Sequence, residues 1–240
     1  MKKRILFFTV ALMLTALLFA FCGCGISGIA GTGGKYLYDD AELYSTGNAS
    51  VSAAGIERVS VDWIGGDIAI TVSDNDEIVL NETAETDAED YLLRYAVIRG
   101  ELKIKFCKSG VRMGDMPAKA LSVALPASVR FTKIEADNVD GKVEVSGVTA
   151  GELSIDTVNG GVSVAAAADR IEVDTVNGNV ALAFAQGTGF RVEFESVNGQ
   201  MRDPNGGTVK GGYYTHGSGS VSADVETVNG SLTLKVVENE

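Results

Sequence analysis

The sequence predicts an all-β protein, a stack of short strands coiled as a β-solenoid or β-helix-like array behind an antiparallel β region. Three observations carry this. From Ile56 onward apolar residues recur with a period of two, the mark of half-buried strands. Gly supplies 29 of the 240 residues and Pro only 3, so the excess glycine is not linker composition. After Pro126 a unit repeats: an acidic residue, then Thr/Ser-Val-Asn-Gly, then two apolar residues spaced by one.

Four copies are clear: Asp156 to Gly160, Asp174 to Gly178, Glu195 to Gly199 and Glu226 to Gly230. Asp137-Asn138-Val139-Asp140-Gly141 is a degenerate copy, and Trp63-Ile64-Gly65-Gly66-Asp67-Ile68 a distant relative. The Asn-Gly pairs are offset by 18, 21 and 31 residues, the last gap holding the glycine-rich insertion Pro204 to Gly219. Two readings compete. Asn-Gly is a strong two-residue hairpin signal, which gives an up-and-down meander or a sandwich. Repetition at about 20 residues marks a stacked coil. Stacking is preferred because it gives the near-identical corners a use: Asn159, Asn177 and Asn198 share amide hydrogen bonds along a ladder. The inward positions are then Val162, Val164, Ile171, Val173, Val180, Leu182, Val192, Phe194, Leu232 and Leu234. Ser163, Glu172, Asp174, Glu193 and Thr233 face water.

The elements follow in chain order. Lys2-Lys3-Arg4 precedes an apolar run, Ile5 to Phe21, and Gly23-Cys24 resembles a lipobox. Residues 1–23 read as a lipoprotein-type signal peptide with Cys24 the lipidated residue, the alternatives being an uncleaved anchor or a plain secretory signal. Loss of those three cations takes the net charge from −12 to −15. Residues 24–55 read as a flexible tether and lead-in. The β-strand-repeat domain spans 56–237, divided into an N-terminal β part (56–126) and the Asn-Gly repeats (127–237). In the N-terminal part, Val59 to Trp63, Asp67 to Val72 and Ile78 to Leu80 alternate. Thr86 to Arg94 holds a short helical turn, Gly100 turns a hairpin, Ser109 to Lys119 is a loop, and Leu121 to Pro126 is a strand stopped by proline.

Composition narrows function. An acidic excess disfavours nucleic acid as a partner. One His and three Cys leave no multi-His zinc site and no disulfide scaffold within one chain. Cys107, after an alternating run, reads as a packed strand residue. Asp74, Asp76 and Glu77 form either a calcium loop or a hairpin turn, and the turn is preferred because no glycine follows. Stacked, Asp156, Asp174, Glu195 and Glu226 form an acidic row, either a solvated edge that resists aggregation or a surface for cations and basic partners. Tyr213, Tyr214 and His216 in the insertion form a candidate binding loop.

The Thr-Val-Asn-Gly core followed by apolar-x-apolar resembles the bacterial β-strand-repeat, adhesin-like domain family of unknown function. The closing stretch Gly217 to Gly230 and the strand Leu121 to Pro126 are similar to that family's layout, over Ile56 to Val237. The resemblance implies an exported, all-β, non-enzymatic protein of the cell envelope, with no catalytic or ligand motif to carry over. The structural corner residues are Asn159, Gly160, Asn177, Gly178, Asn198, Gly199, Asn229 and Gly230. The expectation is a lipid-anchored adhesin or binding scaffold on the outer face of the bacterial cytoplasmic membrane or cell surface. Its partners are the membrane through its lipid and an envelope or surface protein or glycan; no cofactor or metal is expected. The alternatives are an envelope-stress accessory protein partnering a membrane sensor and, below it, a carbohydrate-active β-helix enzyme built on an acidic pair.

Overall fold

The structure, a computed structural model, describes residues 34–205, 208–209 and 211–238. Cys24 and the signal-peptide segment lie outside the described residues. The period-two alternation becomes eighteen strands: β1 (Ser45–Thr46), β2 (Ala49–Ser52), β3 (Arg58–Gly65), β4 (Ile68–Ser73), β5 (Glu77–Ala84), β6 (Arg94–Ile98), β7 (Glu101–Lys105), β8 (Lys119–Pro126), β9 (Arg130–Asp140), β10 (Val143–Asn159), β11 (Val162–Asn177), β12 (Val180–Ala185), β13 (Phe190–Ser196), β14 (Met201–Arg202), β15 (Thr208–Val209), β16 (Gly212–His216), β17 (Val221–Asn229) and β18 (Leu232–Val237). Among the described residues there is no α-helix; the helical turn expected within Thr86–Arg94 is a 3-10 turn at Glu89–Tyr91.

The strands form two ladders whose inward side chains meet in one core. The first runs β7–β3–β9–β10–β11–β17–β13, all parallel, through the later halves of β10 and β11. The second runs β8–β4–β10–β11–β12–β18–β14, also parallel, through the earlier halves of β10 and β11. A strand of the first ladder turns a glycine corner into a strand of the second, and each such turn is one coil. This is a β-solenoid. All ten residues assigned inward from the sequence are buried.

Glycine is required at the corners by close approach. A Cβ on Gly178 would collide with the carbonyl oxygen of Gly160, and one on Gly160 with that of Gly141. Gly141 is set the same way against Gly66, Gly230 against Gly178, and Gly199 against Gly230. Gly141 and Gly160 have positive φ, but Gly178, Gly199 and Gly230 do not. The hairpin explanation, which needs positive φ at both turn residues, therefore does not account for them. Three residues before the corner glycine stands a polar side chain in five coils, Asn138, Thr157, Thr175, Ser196 and Thr227, and Trp63 before Gly66. Asn138 Nδ2 donates to the Gly66 carbonyl (3.0 Å), and Ser196 Oγ to that of Gly230 (3.3 Å).

The corners stack in the order Gly66, Gly141, Gly160, Gly178, Gly230, Gly199, which is not chain order. The sequence reading placed Asn198 after Asn177. The last unit instead sits between them, and the amide chain runs Asn159, Asn177, Asn229, Asn198. Asn177 Nδ2 donates to Asn159 Oδ1 (2.9 Å), Asn229 to Asn177 (2.8 Å), and Asn198 to Asn229 (2.8 Å). The 31-residue gap is the length needed to leave the stack and return one coil earlier.

Antiparallel strands close both ends. At one, β6 and β1 extend the first ladder and β5 and β2 the second. At the other, β16 pairs with β13 and β15 with β14. Such caps replace the open parallel edges that would otherwise template aggregation. Of the expected tether and lead-in 24–55, the described part begins at residue 34 and is not a free tether: Tyr36 and Tyr38 are buried in the first cap, because the first coil would otherwise expose its end. Tyr36 accepts from the Phe106 backbone N–H at 3.2 Å. The same cap buries Lys119. Its Nζ reaches Glu82 Oε2 (2.6 Å) and the Tyr91 carbonyl (2.6 Å), and lies 4.8 Å from the Trp63 ring centroid. Burial pulls this lysine's pKa down while Glu82 opposes the shift.

Three substitutions test the fold. Gly178→Ala is expected to cost about 3 kcal/mol in urea unfolding, because the added methyl overpacks backbone that has no slack. Gly114→Ala, in open space, is expected to stay within about 0.5 kcal/mol. Glu82→Ala leaves the Lys119 ammonium buried without its counter-charge and is expected to cost about 3–5 kcal/mol in the same measurement.

Candidate functional site

In-register stacking of an acidic repeat position has one consequence: the carboxylates must line up. Strand register places Asp62 beside Asp137, Asp137 beside Asp156, Asp156 beside Asp174, Asp174 beside Glu226, and Glu226 beside Glu195. Strands in a sheet lie about 4.8 Å apart, so each acid has a like charge one strand away. Lys105 Nζ meets Asp62 Oδ2 at 3.0 Å at one end of the row.

Two parallel rows flank it on the outer face. Two residues earlier stand Glu135, Ser154, Glu172, Asp224 and Glu193, and two before those Lys133, Glu152, Arg170, Ser222 and Arg191. These rows partly neutralise each other. Lys133 pairs with Glu152 (3.2 Å) and Glu135 (3.8 Å), and Arg170 with Glu172 and with Asp224 (3.0 Å). Two residues later, toward the corner, stand Ile64, Val139, Val158, Val176, Val228 and Val197, an aliphatic row on the outside of the protein. The carboxylates lie between this apolar ridge and the ion-pair rows.

Their acidity follows. Burial first, and the neighbouring Asp156 second, push the Asp137 carboxyl up to about 8. Asp156 rises to about 7 by burial and Asp174, Asp174 to about 6 by burial and Glu172, and Glu226 to about 7 by burial and Asp174. Asp137, Asp156 and Glu226 therefore keep a share of their protons near neutral pH, which relieves the repulsion between neighbouring acids. A depression of about 360 Å³ opens over the far part of this face, lined by Arg170, Glu172, Asp174, Glu193, Glu195, Asp224 and Glu226. Among the described residues no group of three or more His, Cys, Asp or Glu is arranged to hold a metal ion.

The acids singled out from sequence, Asp156, Asp174, Glu195 and Glu226, are brought together. Asp137 and Asp62 were missed. Each lies four residues before its corner glycine, as Asp156 lies before Gly160, and that offset was the available signal. The lateral cations and the aliphatic ridge were also missed.

Tyr213, Tyr214 and His216 do not form a loop. They lie on β16, antiparallel to β13. Tyr214 turns inward, its ring 6.0 Å from that of Phe190, and His216 stacks on Phe190 at 5.0 Å. Tyr213 is exposed on the outer face, with the Arg191 guanidinium 4.6 Å from its ring centre. Alternation along a strand separates them: Tyr214 and His216 close the end of the core, and Tyr213 alone faces solvent. Asp74 and Asp76 occupy the turn between β4 and β5, and Glu77 accepts a hydrogen bond from Ser50. Cys107 is fully buried, and burial pushes its thiol up to about 12, far from a nucleophile's range. No helix among the described residues is long and apolar enough to cross a membrane.

Fold and face together define a parallel β-solenoid with glycine corners, closed at both ends by antiparallel strands and carrying a row of acidic residues in register on its outer face. The chain belongs to the Toastrack DUF4097 family, whose model matches residues 98–235. It is similar in fold to a "putative cell adhesion protein" from Clostridium sporogenes, at 14% identity and a TM-score of 0.62, over 81% of this chain and 100% of that one. A "putative adhesin" from Bacteroides fragilis superposes more loosely: 12% identity, TM-score 0.35, 79% of this chain and 97% of that one. A "putative lipid binding protein" from Parabacteroides distasonis gives 13% identity and a TM-score of 0.31, over 81% and 96%. No curated protein matches the chain in sequence.

The raised carboxyl pKa values set a pH dependence. The folded state binds these protons more tightly than the unfolded chain, whose Asp titrates near 3.9. Their contribution to stability is therefore whole below about pH 4 and is lost as pH rises through about 6 to 8. The melting temperature is expected to fall between pH 5 and pH 8.5. Asp156→Asn is expected to raise it at pH 8 and leave it nearly unchanged at pH 4, as differential scanning fluorimetry can check.

Proposed function

We propose that the protein acts by binding, without chemistry of its own, as an adhesin-like scaffold at the bacterial envelope. In this reading Cys24 carries the lipid and the solenoid stands off the outer face of the membrane. The observation that supports it most is the long outer face of the first ladder, where carboxylates, ion pairs and an aliphatic ridge run in register across consecutive coils. Such a face offers many equal contacts to an extended partner and singles out no one reactive pair. The cell adhesion name of the Clostridium sporogenes protein agrees with this reading.

The depression over Asp174, Glu226 and Glu195 favours a second reading. The Asp174 and Glu226 carboxyls, pushed up to about 6 and about 7 and lying one strand apart, are the raw material of glycan hydrolysis.

One experiment addresses both. The chain from residue 25 is screened against glycans, cell-wall polymers, matrix proteins and the source cell's own membrane extract, with and without calcium. Saturable binding to an external glycan or protein is expected, weakened about tenfold or more by Asp174→Asn with Glu226→Gln. Binding only to a component of the cell's own membrane points instead to a sensor accessory and removes adhesion as the main role. Release of reducing ends from a bound glycan, lost in the same double variant, establishes the enzyme.

A further inference from the structure

The last unit of the chain is held as an inserted part, not as an end. β17 lies between β11 and β13, paired from Arg170↔Ser222 to Asn177↔Asn229 on one side and from Phe190↔Val221 to Ser196↔Thr227 on the other. β18 lies between β12 and β14. With residues 221–237 taken away, the coil that ends in Gly178 and the coil that ends in Gly199 would face each other across a slot one strand wide. That slot exposes backbone groups on both walls, and the Asn177 and Asn198 amides lack the Asn229 that joins them.

The route into the slot is equally specific. His216 and Val221 both flank Phe190, on opposite sides of β13. Residues 217–220 must therefore cross over the start of β13. They cross at Gly189: a Cβ there would sit 2.6 Å from the Ser218 backbone nitrogen and 2.9 Å from that of Gly219. Val221 N–H (3.0 Å) and Ser220 Oγ (2.9 Å) both donate to the Gly189 carbonyl, fastening the strap. Gly217 and Gly219 have positive φ, which the tight strap needs. Gly189 itself does not, so its lack of a side chain is explained by the strap alone.

We propose that residues 221–237 are a donor unit, and that the slot accepts this strand–corner–strand element either from the same chain or from a second copy of it. The walls of the slot are made wholly by residues outside the unit, and every pairing is available to an identical unit arriving from elsewhere. Exchange of the unit between two copies builds a dimer with no new contact surface, the low-cost route to association. In such a dimer the arriving unit comes from the partner, so no strap crosses the receiving Gly189. The crossing strap is thus what favours the closed monomer. This inference is independent of what the acidic face binds.

Two measurements test it on the full chain. Gly189→Val obstructs the strap while placing a good strand former at a strand start. Refolded together, two differently tagged copies of the variant are expected to co-purify as a dimer by light scattering, whereas the unaltered protein stays mostly monomeric. A folded, monomeric variant that melts with the unaltered protein overturns the proposal. Because this substitution can also cost folding, a second arm avoids it. A protease site is inserted after Asp203, the native protein is cut, and a labelled peptide of residues 221–238 is added in mild urea. Saturable incorporation of one peptide per chain, with loss of the chain's own fragment, supports the donor unit. No incorporation, whether the fragment stays or leaves, overturns it.

Discussion

The structure depends on one approach distance: the corner of each coil lies so close to the next that only hydrogen fits between glycine and the neighbouring glycine carbonyl. That contact fixes the rise of the stack at the spacing of hydrogen-bonded strands, about 4.8 Å. It also fixes register, because a corner shifted by one residue would put a Cβ into the carbonyl. Once register is fixed, every repeat position becomes a ladder. Inward, the ladders are Val, Ile, Leu and Phe and form the core. At the corner the ladder is asparagine and becomes a chain of amides. Outward it is carboxylate.

The carboxylate ladder is the part of this arrangement that works against folding. Two ionised carboxylates one strand apart repel by roughly 3 kcal/mol at an effective dielectric of about 20. Burying one aliphatic side chain contributes about 1.5–3 kcal/mol, and each coil buries several. The core therefore holds the coils in register despite the repulsion, and Asp137, Asp156, Asp174 and Glu226 respond by holding their protons more tightly. The aliphatic ridge from Ile64 to Val197 sharpens the effect, since it keeps water from one side of the acids. A row set only to resist aggregation would do better with lysine or fully solvated acids, as edge strands commonly do. Holding acids half-buried across consecutive coils makes the protonation of this face respond between pH 6 and 8.

Much of this was legible in the sequence. Period-two alternation gave the strands, the repeated acid-Thr/Ser-Val-Asn-Gly unit gave the coils, and the pattern after each corner separated inward from outward residues. These signals are local, and the stacking interaction repeats them without alteration. Two things were not legible. The lead-in around Tyr36 and Tyr38 is weakly patterned because it caps an end, where side chains fill irregular space instead of following a pleat. Tyr213, Tyr214 and His216 looked like a loop because glycines surround them, yet β13 recruits them as an edge strand. Pairing partners so far apart leave no mark on local composition.

The order of the coils was the deepest omission, and its cause is physical. All the repeat units carry nearly the same corner, so their sequences determine that they stack but not which stacks on which. Selection between the orders falls to the connections. From β11 to β13 the link through β12 is short, yet β13 does not pair with β11, so a slot is left from the outset. The link from β14 to β17 is long and glycine-rich, and it is crossed onto Gly189, whose bare Cα is the one feature on β13's approach that admits the strap. The coil bearing Gly230 is therefore completed by residues 221–237, which pair on both sides with coils that precede them in the chain. A solenoid that grew in simple chain order could fold from one end and fray from the other. Here, among the described residues, the coil bearing Gly199 pairs into both ladders through residues 221–237, so that end is tied into the body by a segment that follows it in the chain.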